Sequence, residues 1–150
     1  MKLGYMTNGI SCEYEMQHAF KLWLDKKKLK YVDELLVKDV GRRADFLVLK
    51  QGNGIINIEA KCNDFDCMMK QLNDHAIYCD YSFAFIPDYP FTPMWFKEQL
   101  AKYGYGLIVW NTEDKVITEV LEAHHNKPSN KQLKEKIINI VRGKQNNQTK

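Results

Sequence analysis

The spacing of apolar residues predicts an amphipathic helix near the start of the chain. These residues recur at intervals of three and four positions over residues 12–28, namely Met16, Ala19, Phe20, Trp23 and Leu24. That spacing places them on one face of a helix. Ser11 precedes the segment as a candidate N-cap, and a run of lysines follows its end, where cations suit the helix dipole.

Short apolar runs further along the chain are typical of β-strands. Three of them occupy residues 35–40, 44–49 and 55–61, and the tetrapeptide Q-G-N-G between the last two predicts a hairpin. Further strands are predicted over 81–86, 105–110 and 116–121, the last as an edge strand, and further helices over 64–77, 92–103 and 130–141. The order α-β-β-β-α-β-α-β-β-α predicts an α/β fold, a mixed sheet flanked by helices.

Composition narrows the class of protein. The chain has 150 residues, 45% hydrophobic and 27% charged, which is typical of one globular domain. We expect that domain over residues 1–142 and a flexible tail over 143–150. No apolar run approaches the roughly 18–20 residues of a membrane helix, and the start has no secretory apolar core, so we expect a cytoplasmic protein. The four cysteines lack a C-x-x-C pair and are expected to be free thiols.

The charge is unevenly distributed. The net charge is +3, but residues 127–150 carry seven basic residues and one acidic residue, which leaves −3 for the other residues. A second basic run lies within residues 26–30. Basic clusters of this kind indicate an anionic partner, of which nucleic acid is the usual one. The alternative is a solvated face with a solubilising tail, and charge alone favours that alternative.

The predicted hairpin brings three charged residues to one face of the sheet. If the chain turns about Gly52, Asp45 lies opposite Glu59, and if it turns about Asn53, Asp45 lies opposite Lys61. Because side chains alternate between the two faces of a strand, both registers put these three on the same face. The apolar residues of the two strands then share the other face, where a helix can cover them: Phe46, Val48, Ile56, Ile58 and Ala60.

These three side chains suit phosphodiester hydrolysis. Asp45 and Glu59 supply hard oxygen ligands of the kind that Mg²⁺ or Mn²⁺ prefers. A divalent ion there binds a phosphate oxygen and acidifies a water, and Lys61 is placed to position that water and stabilise the transition state. The alternative is structural: the two carboxylates pair with Arg43 and Lys61 across a solvated face.

The motifs G-R-R-A-D-F at 41–46 and I-E-A-K at 58–61 resemble the PD-(D/E)xK nuclease superfamily. Downstream, D-F at 64–65, Y-C-D at 78–80, F-A-F-I-P at 83–87 and G-L-I-V at 106–109 are similar to its MmcB-type DNA repair branch, as is Lys70. The proline that often precedes the first aspartate is replaced here by Ala44. The resemblance implies a restriction-endonuclease-like sheet with an α-β-β-β-α-β core.

The resemblance also implies roles for individual residues. Asp45 and Glu59 would bind Mg²⁺ or Mn²⁺, with the Ala60 carbonyl as a further ligand, and Lys61 would orient the water. A glutamate of the first helix would add to the pocket; Glu13 is the better candidate, and Glu15 is the second choice. Gln71 matches the helix glutamine of several branches, although the Q-x-x-x-Y spacing is absent.

The sequence therefore predicts a metal-dependent nuclease that acts on DNA, in repair, recombination or mobile-element defence. The candidate nucleic-acid contacts are Arg42, Arg43, Lys70 and Gln71, and a homodimer is possible. Plain surface charge is an equal alternative for the two arginines, and a solvated helix face is the favoured alternative for Lys70 and Gln71. The alternative is a catalytically inactive module of the same fold that binds DNA or a protein. RNA stays open as a substrate, because no residue pattern reads a 2′-hydroxyl.

Four further polar residues receive mainly structural interpretations. Asp64 is expected to cap the helix that follows it, and Asp80 to lie in a turn. His75 is expected to be structural or exposed. Asn57 lies on the face of the two carboxylates, where lining the site and exposure to solvent are equally compatible with the pattern.

Overall fold

The computed structural model of the protein describes residues 9–88 and 92–144, and six strands in these segments form one sheet. In chain order and in spatial order they are β1 (Tyr31–Val37), β2 (Arg42–Lys50), β3 (Gly54–Ala60), β4 (Tyr81–Pro87), β5 (Gly106–Trp110) and β6 (Ile117–Leu121). The pairs β3–β4 and β4–β5 are parallel, and the other three are antiparallel. The predicted mixed α/β fold is confirmed, with β6 at an edge.

Helices cover both faces of the sheet. They are α1 (Gly9–Lys26), α2 (Phe65–His75), α3 (Met94–Tyr103) and α4 (Lys131–Gly143), so the predicted order of elements is confirmed. The α2 N-cap is Asp64, whose side chain accepts from the Cys67 N–H at 3.2 Å, as predicted. The Ser11 N-cap is wrong, because α1 begins at Gly9. In the predicted tail, α4 runs to Gly143, and residues 145–150 lie outside the described residues.

Two apolar layers position the hairpin. Beneath α1, Phe20 and Leu24 pack against the β2–β3 face that carries Phe46, Ile58 and Ala60, as the alternation predicts. On the other face, α4 packs on β2 and β3, α2 packs on β3 and β4, and α3 packs on β5. All four cysteines are free thiols. No helix among the described residues combines the length and apolarity needed to cross a membrane.

Candidate active site

The β2–β3 ladder stops where the two predicted carboxylates meet. Phe46 pairs with Ile58, which is the register of a hairpin that turns about Gly52. Beyond this pair, side-chain carboxylates take the place of main-chain carbonyls as hydrogen-bond acceptors. Asp45 Oδ2 accepts from the Ala60 N–H at 2.8 Å, and Glu59 Oε2 accepts from the Asp45 N–H at 3.4 Å. Both carboxyl groups are therefore fixed by the main chain of the opposite strand.

Glu59 is fully buried between β3 and α2. Its Oε2 accepts from the Asn57 side-chain amide at 2.7 Å and lies 3.8 Å from His75 Nε2. Its Oε1 is buried and has no hydrogen-bond partner among the described residues. A buried carboxyl oxygen in this state costs stability unless a proton, a water or a cation satisfies it.

Burial and mutual repulsion shift the titration of the pair. Burial raises the pKa of Glu59 well above its ordinary value, and the nearby Asp45 charge raises it further. Burial also raises the pKa of Asp45, while the hydrogen bond from the Ala60 N–H opposes that change. The buried Glu59 and the half-buried Asp45 do not both carry full charge unless a cation compensates them, and without one the pair retains a proton.

His75 supports Glu59 from α2 as a neutral imidazole. Burial lowers the pKa of His75 to about 4. The Arg43 carbonyl, 3.3 Å from Nε2, only accepts hydrogen bonds, so Nε2 carries the proton and Nδ1 accepts from the Tyr78 hydroxyl at 2.6 Å. His75 therefore gives Glu59 a polar neighbour without a compensating positive charge.

Glu13 and Lys61 complete the group at the end of β3. Glu13 Oε2 accepts from the Cys62 N–H at 3.3 Å, whereas the second-choice Glu15 is exposed. The Lys61 N–H donates to the Phe85 carbonyl at 3.1 Å, which anchors the end of β3, and its side chain is half-buried. The charges of both side chains act on Asp45: the Glu13 carboxylate raises the pKa of Asp45, and the Lys61 ammonium lowers it.

The carboxylate oxygens at this site are the type of ligand that a hard divalent cation prefers, but the side chains supply only part of the set that such a cation takes. Asp45 and Glu59 offer two carboxylates, and the unpartnered Glu59 Oε1 is the kind of atom that a cation satisfies. Within residues 9–88 and 92–144, no three His, Cys, Asp or Glu side chains lie close enough together to hold a metal ion. A cation at this site would therefore take its other ligands from main-chain carbonyls, water or substrate, as Mg²⁺ does.

The four predicted nucleic-acid contacts lie in different environments. Arg42 Nε forms an ion pair with Asp74 of α2 at 2.5 Å, and the Arg43 guanidinium donates to the Glu34 carbonyl at 3.3 Å. Lys70 is exposed on α2. Gln71 lies one helical turn before His75 and so on the same helix face, and its side-chain oxygen is buried without a partner among the described residues.

The structural alternative for the carboxylates, ion pairs on a solvated face, is wrong. Glu59 has no solvent exposure, and Arg43 bonds to a main-chain carbonyl. Asn57 is fully buried as a partner of Glu59. Its position in N-I-E, two residues before Glu59 on the same strand face, was the available signal.

Sequence reasoning also underestimated two other polar residues. Asp80 lies at a bend, but it is buried, accepts from the Ile55 N–H at 2.8 Å and pairs with Lys134 of α4 at 3.0 Å. His75 carries no motif that distinguishes it from an ordinary helical histidine. Its contact with Glu59 depends on how α2 packs on the sheet, which no local pattern encodes.

Comparison with known proteins gives the fold and no family. No protein-family model and no curated protein matches the chain. Among solved structures, the chain is similar to the SPO1766 protein of unknown function from Silicibacter pomeroyi, with a TM-score of 0.57, 21% identity, and coverage of 79% of this chain and 75% of that one. It is also similar to an XisH family protein from Nostoc punctiforme PCC 73102, with a TM-score of 0.55, 15% identity, and coverage of 71% and 98%.

Proposed function

We propose that the protein is a divalent-metal-dependent nuclease of the PD-(D/E)xK type that hydrolyses DNA phosphodiester bonds. The observation that carries this proposal is the fully buried Glu59, which has an unpartnered oxygen beside a second carboxyl group. Burying Glu59 beside a second, half-buried carboxyl group costs stability, and a bound cation offsets that cost. Lys61 follows two residues later at the half-buried end of the strand.

Each residue then has a defined task. Asp45 and Glu59 would hold the cation, with the Ala60 carbonyl as the expected third protein ligand. The cation, once bound, would polarise the phosphate and acidify a water. The Lys61 ammonium would orient that water and balance negative charge on the phosphate. Glu13, tied to the Cys62 N–H, would add a carboxylate to the same pocket.

A second function has its own supporting observation. The described residues contain no three-residue metal-binding group, and the Glu13 carboxylate is already engaged by a main-chain N–H. Both facts favour a catalytically inactive module of the same fold that binds DNA or a protein. The two proposals differ in whether metal and Lys61 are needed for any activity.

Cleavage of a labelled DNA panel tests the proposal. The panel holds single strand, duplex, flap and four-way junction, each with Mg²⁺, Mn²⁺ or EDTA. Asp45→Asn keeps an acceptor for the Ala60 N–H, and Lys61→Ala removes only the ammonium stem, so both variants should fold and lose about 10²–10³-fold or more in rate. Lys102→Ala, an exposed lysine of α3, is the control and should cut normally.

The outcomes separate the two candidates. Cutting that requires both metal and Lys61 supports the nuclease, and the preferred substrate defines its class. Cutting that survives in Lys61→Ala or in EDTA contradicts the proposed mechanism. Binding of DNA with no cutting under either metal favours the inactive module.

A further inference from the structure

A basic depression lies at the hairpin end of the sheet, away from the carboxylates. It has a volume of about 230 Å³, and its lining includes four cationic residues and no acidic one: Lys28, Lys30, Lys50 and Arg142. We call it the basic groove. The hairpin residues Gly52 and Asn53 also line it, both with positive φ angles.

The fold holds two of these cations in place. The Lys30 ammonium donates to the Arg142 carbonyl at 3.0 Å, and the Arg142 guanidinium donates to the Asn53 side chain. These contacts join the segment after α1, the end of α4 and the hairpin. The groove is therefore built from three separate parts of the chain, and its positive charge is a property of the tertiary structure.

The other two cations are available to a ligand. Lys28 and Lys50 form no ion pair with any side chain in the described ranges, and the Lys50 ammonium lies 5.5 Å from the centre of the Tyr81 ring. Cations at helix C-termini stabilise the helix dipole, which accounts for Lys28 and Arg142. It does not account for Lys50, which ends β2.

We propose that the basic groove binds phosphates of the nucleic acid that the protein acts on, an inference that rests on the proposed function. Gly54, which pairs with the groove residue Lys50 across the hairpin, and Glu59 at the carboxylate pair are five residues apart on β3, or about 17 Å. A phosphate in the groove thus belongs to a nucleotide several positions from the scissile bond. The concave shape suits a phosphate chain better than the flat surface of an anionic bilayer.

Binding of fluorescent duplex DNA in EDTA, measured over a range of NaCl concentrations, tests the groove without any cleavage. The test variant is Lys28→Gln with Lys50→Gln, and the matched control is Lys97→Gln with Lys102→Gln, two exposed lysines of α3. Loss of two phosphate contacts should weaken binding about tenfold and reduce the slope of log K against log salt by about 1.8. The control pair should bind like the wild type.

An unchanged slope of log K against log salt in the test variant would contradict the proposal that the basic groove binds phosphates. Absence of DNA binding by the wild type would contradict it as well. The same would follow if the test variant lost binding to phosphatidylserine vesicles while keeping its affinity for DNA.

Cleavage assays on the same variants separate this inference from the nuclease proposal. If the groove variant loses affinity for DNA but the wild type does not cut with Mg²⁺ or Mn²⁺, phosphate binding in the basic groove is supported and the nuclease proposal is contradicted. If the wild type cuts DNA and the groove variant binds it with an unchanged salt slope, the nuclease proposal is supported and phosphate binding in the groove is contradicted.

Discussion

Glu59 combines two properties that rarely occur together, an acidic side chain and complete burial. Asn57 and the Asp45 N–H satisfy only its Oε2. The raised pKa of Glu59 means that the folded protein is penalised at any pH where this carboxyl group must ionise. The proposed role in binding a cation would account for a residue with this cost at the centre of the sheet.

Replacing Glu59 with glutamine should therefore stabilise the metal-free protein. The pKa is raised in the folded state, so the penalty is absent below the ordinary value near 4.5 and grows as pH rises through the folded value. At pH 8 in EDTA we expect Glu59→Gln to gain about 1–2 kcal/mol in the free energy of unfolding, and less at pH 5. Urea denaturation measures both, and Glu119→Gln, an exposed edge-strand residue, is the control. A variant less stable than wild type at pH 8 would contradict this prediction.

Strand alternation predicts that Asp45 and Glu59 share one face of the sheet, since both residues belong to one hairpin, but it leaves open whether Glu59 or Lys61 lies opposite Asp45. It does not predict burial of the pair, which depends on α2 covering β3. The same limit applies to His75, which reaches Glu59 only because α2 packs on the sheet through Met68 and Leu72. Strand alternation predicts which side chains share a face of the sheet, whereas packing between distant parts of the chain determines which helix covers that face.

The contact between α2 and the hairpin depends on few polar atoms. His75 joins the Arg43 carbonyl of β2 to the Tyr78 hydroxyl that follows the helix. The Tyr78 hydroxyl is fully buried, so water cannot easily replace its hydrogen bond to the imidazole. This element contact fixes the position of the imidazole behind Glu59.

His75→Phe should destabilise the protein by about 2–3 kcal/mol at pH 8, because the buried Tyr78 hydroxyl and the part-buried Arg43 carbonyl lose their partner. The folded pKa of His75, about 4, lies below its ordinary 6.5, so the unfolded chain takes up a proton first as pH falls. Between pH 8 and pH 5 the stability gap between wild type and variant should therefore shrink by about 2 kcal/mol.

Tyr78→Phe is the matched control for this pH dependence. It removes the hydroxyl partner but keeps the imidazole, so it should retain the pH dependence of the wild type. Denaturation curves at several pH values measure all three proteins. Parallel stability profiles for wild type and His75→Phe would show that His75 does not titrate in this way.

Element boundaries were predicted less well than element order, and β1 shows why. The apolar run suggested residues 35–40, but the strand is Tyr31–Val37. The chain turns after Val37, whose carbonyl accepts from the Val40 and Gly41 N–H groups, and Gly41 adopts a φ of 74°. Val40 is apolar because it packs against the α4 cluster, so its hydrophobicity reflects burial in a turn.

At the scale of the whole molecule, the candidate site joins parts of the chain that are distant in sequence. Glu13 from α1, the β2–β3 hairpin and α2 all meet at the carboxylate end of the sheet. A ligand that binds all of them stabilises the complete fold, because the unfolded chain offers no such arrangement.

Divalent cations should therefore raise the melting temperature. At ten times the dissociation constant the gain is about 1.4 kcal/mol, or roughly 3–5 °C for a domain of this size. Mn²⁺ and Mg²⁺ titrations followed by thermal unfolding measure it, and EDTA should reverse it. Asp45→Asn should abolish the shift, whereas Glu98→Gln on the exposed side of α3 should preserve it. No shift in the wild type at millimolar metal would count against a cation site.

The carboxylates that replace carbonyl acceptors at the end of the β2–β3 ladder bear on how this protein would diverge. A descendant under selection for folding alone would still need acceptors for the Asp45 and Ala60 N–H groups, but the amide oxygens of asparagine and glutamine supply them without the cost of a buried charge. The Lys61 side chain makes no hydrogen bond or ion pair in the ranges that the structure describes, and drift could remove it freely. Among relatives, loss of either acid or of the lysine at position 61 should therefore distinguish proteins that lack the proposed nuclease activity.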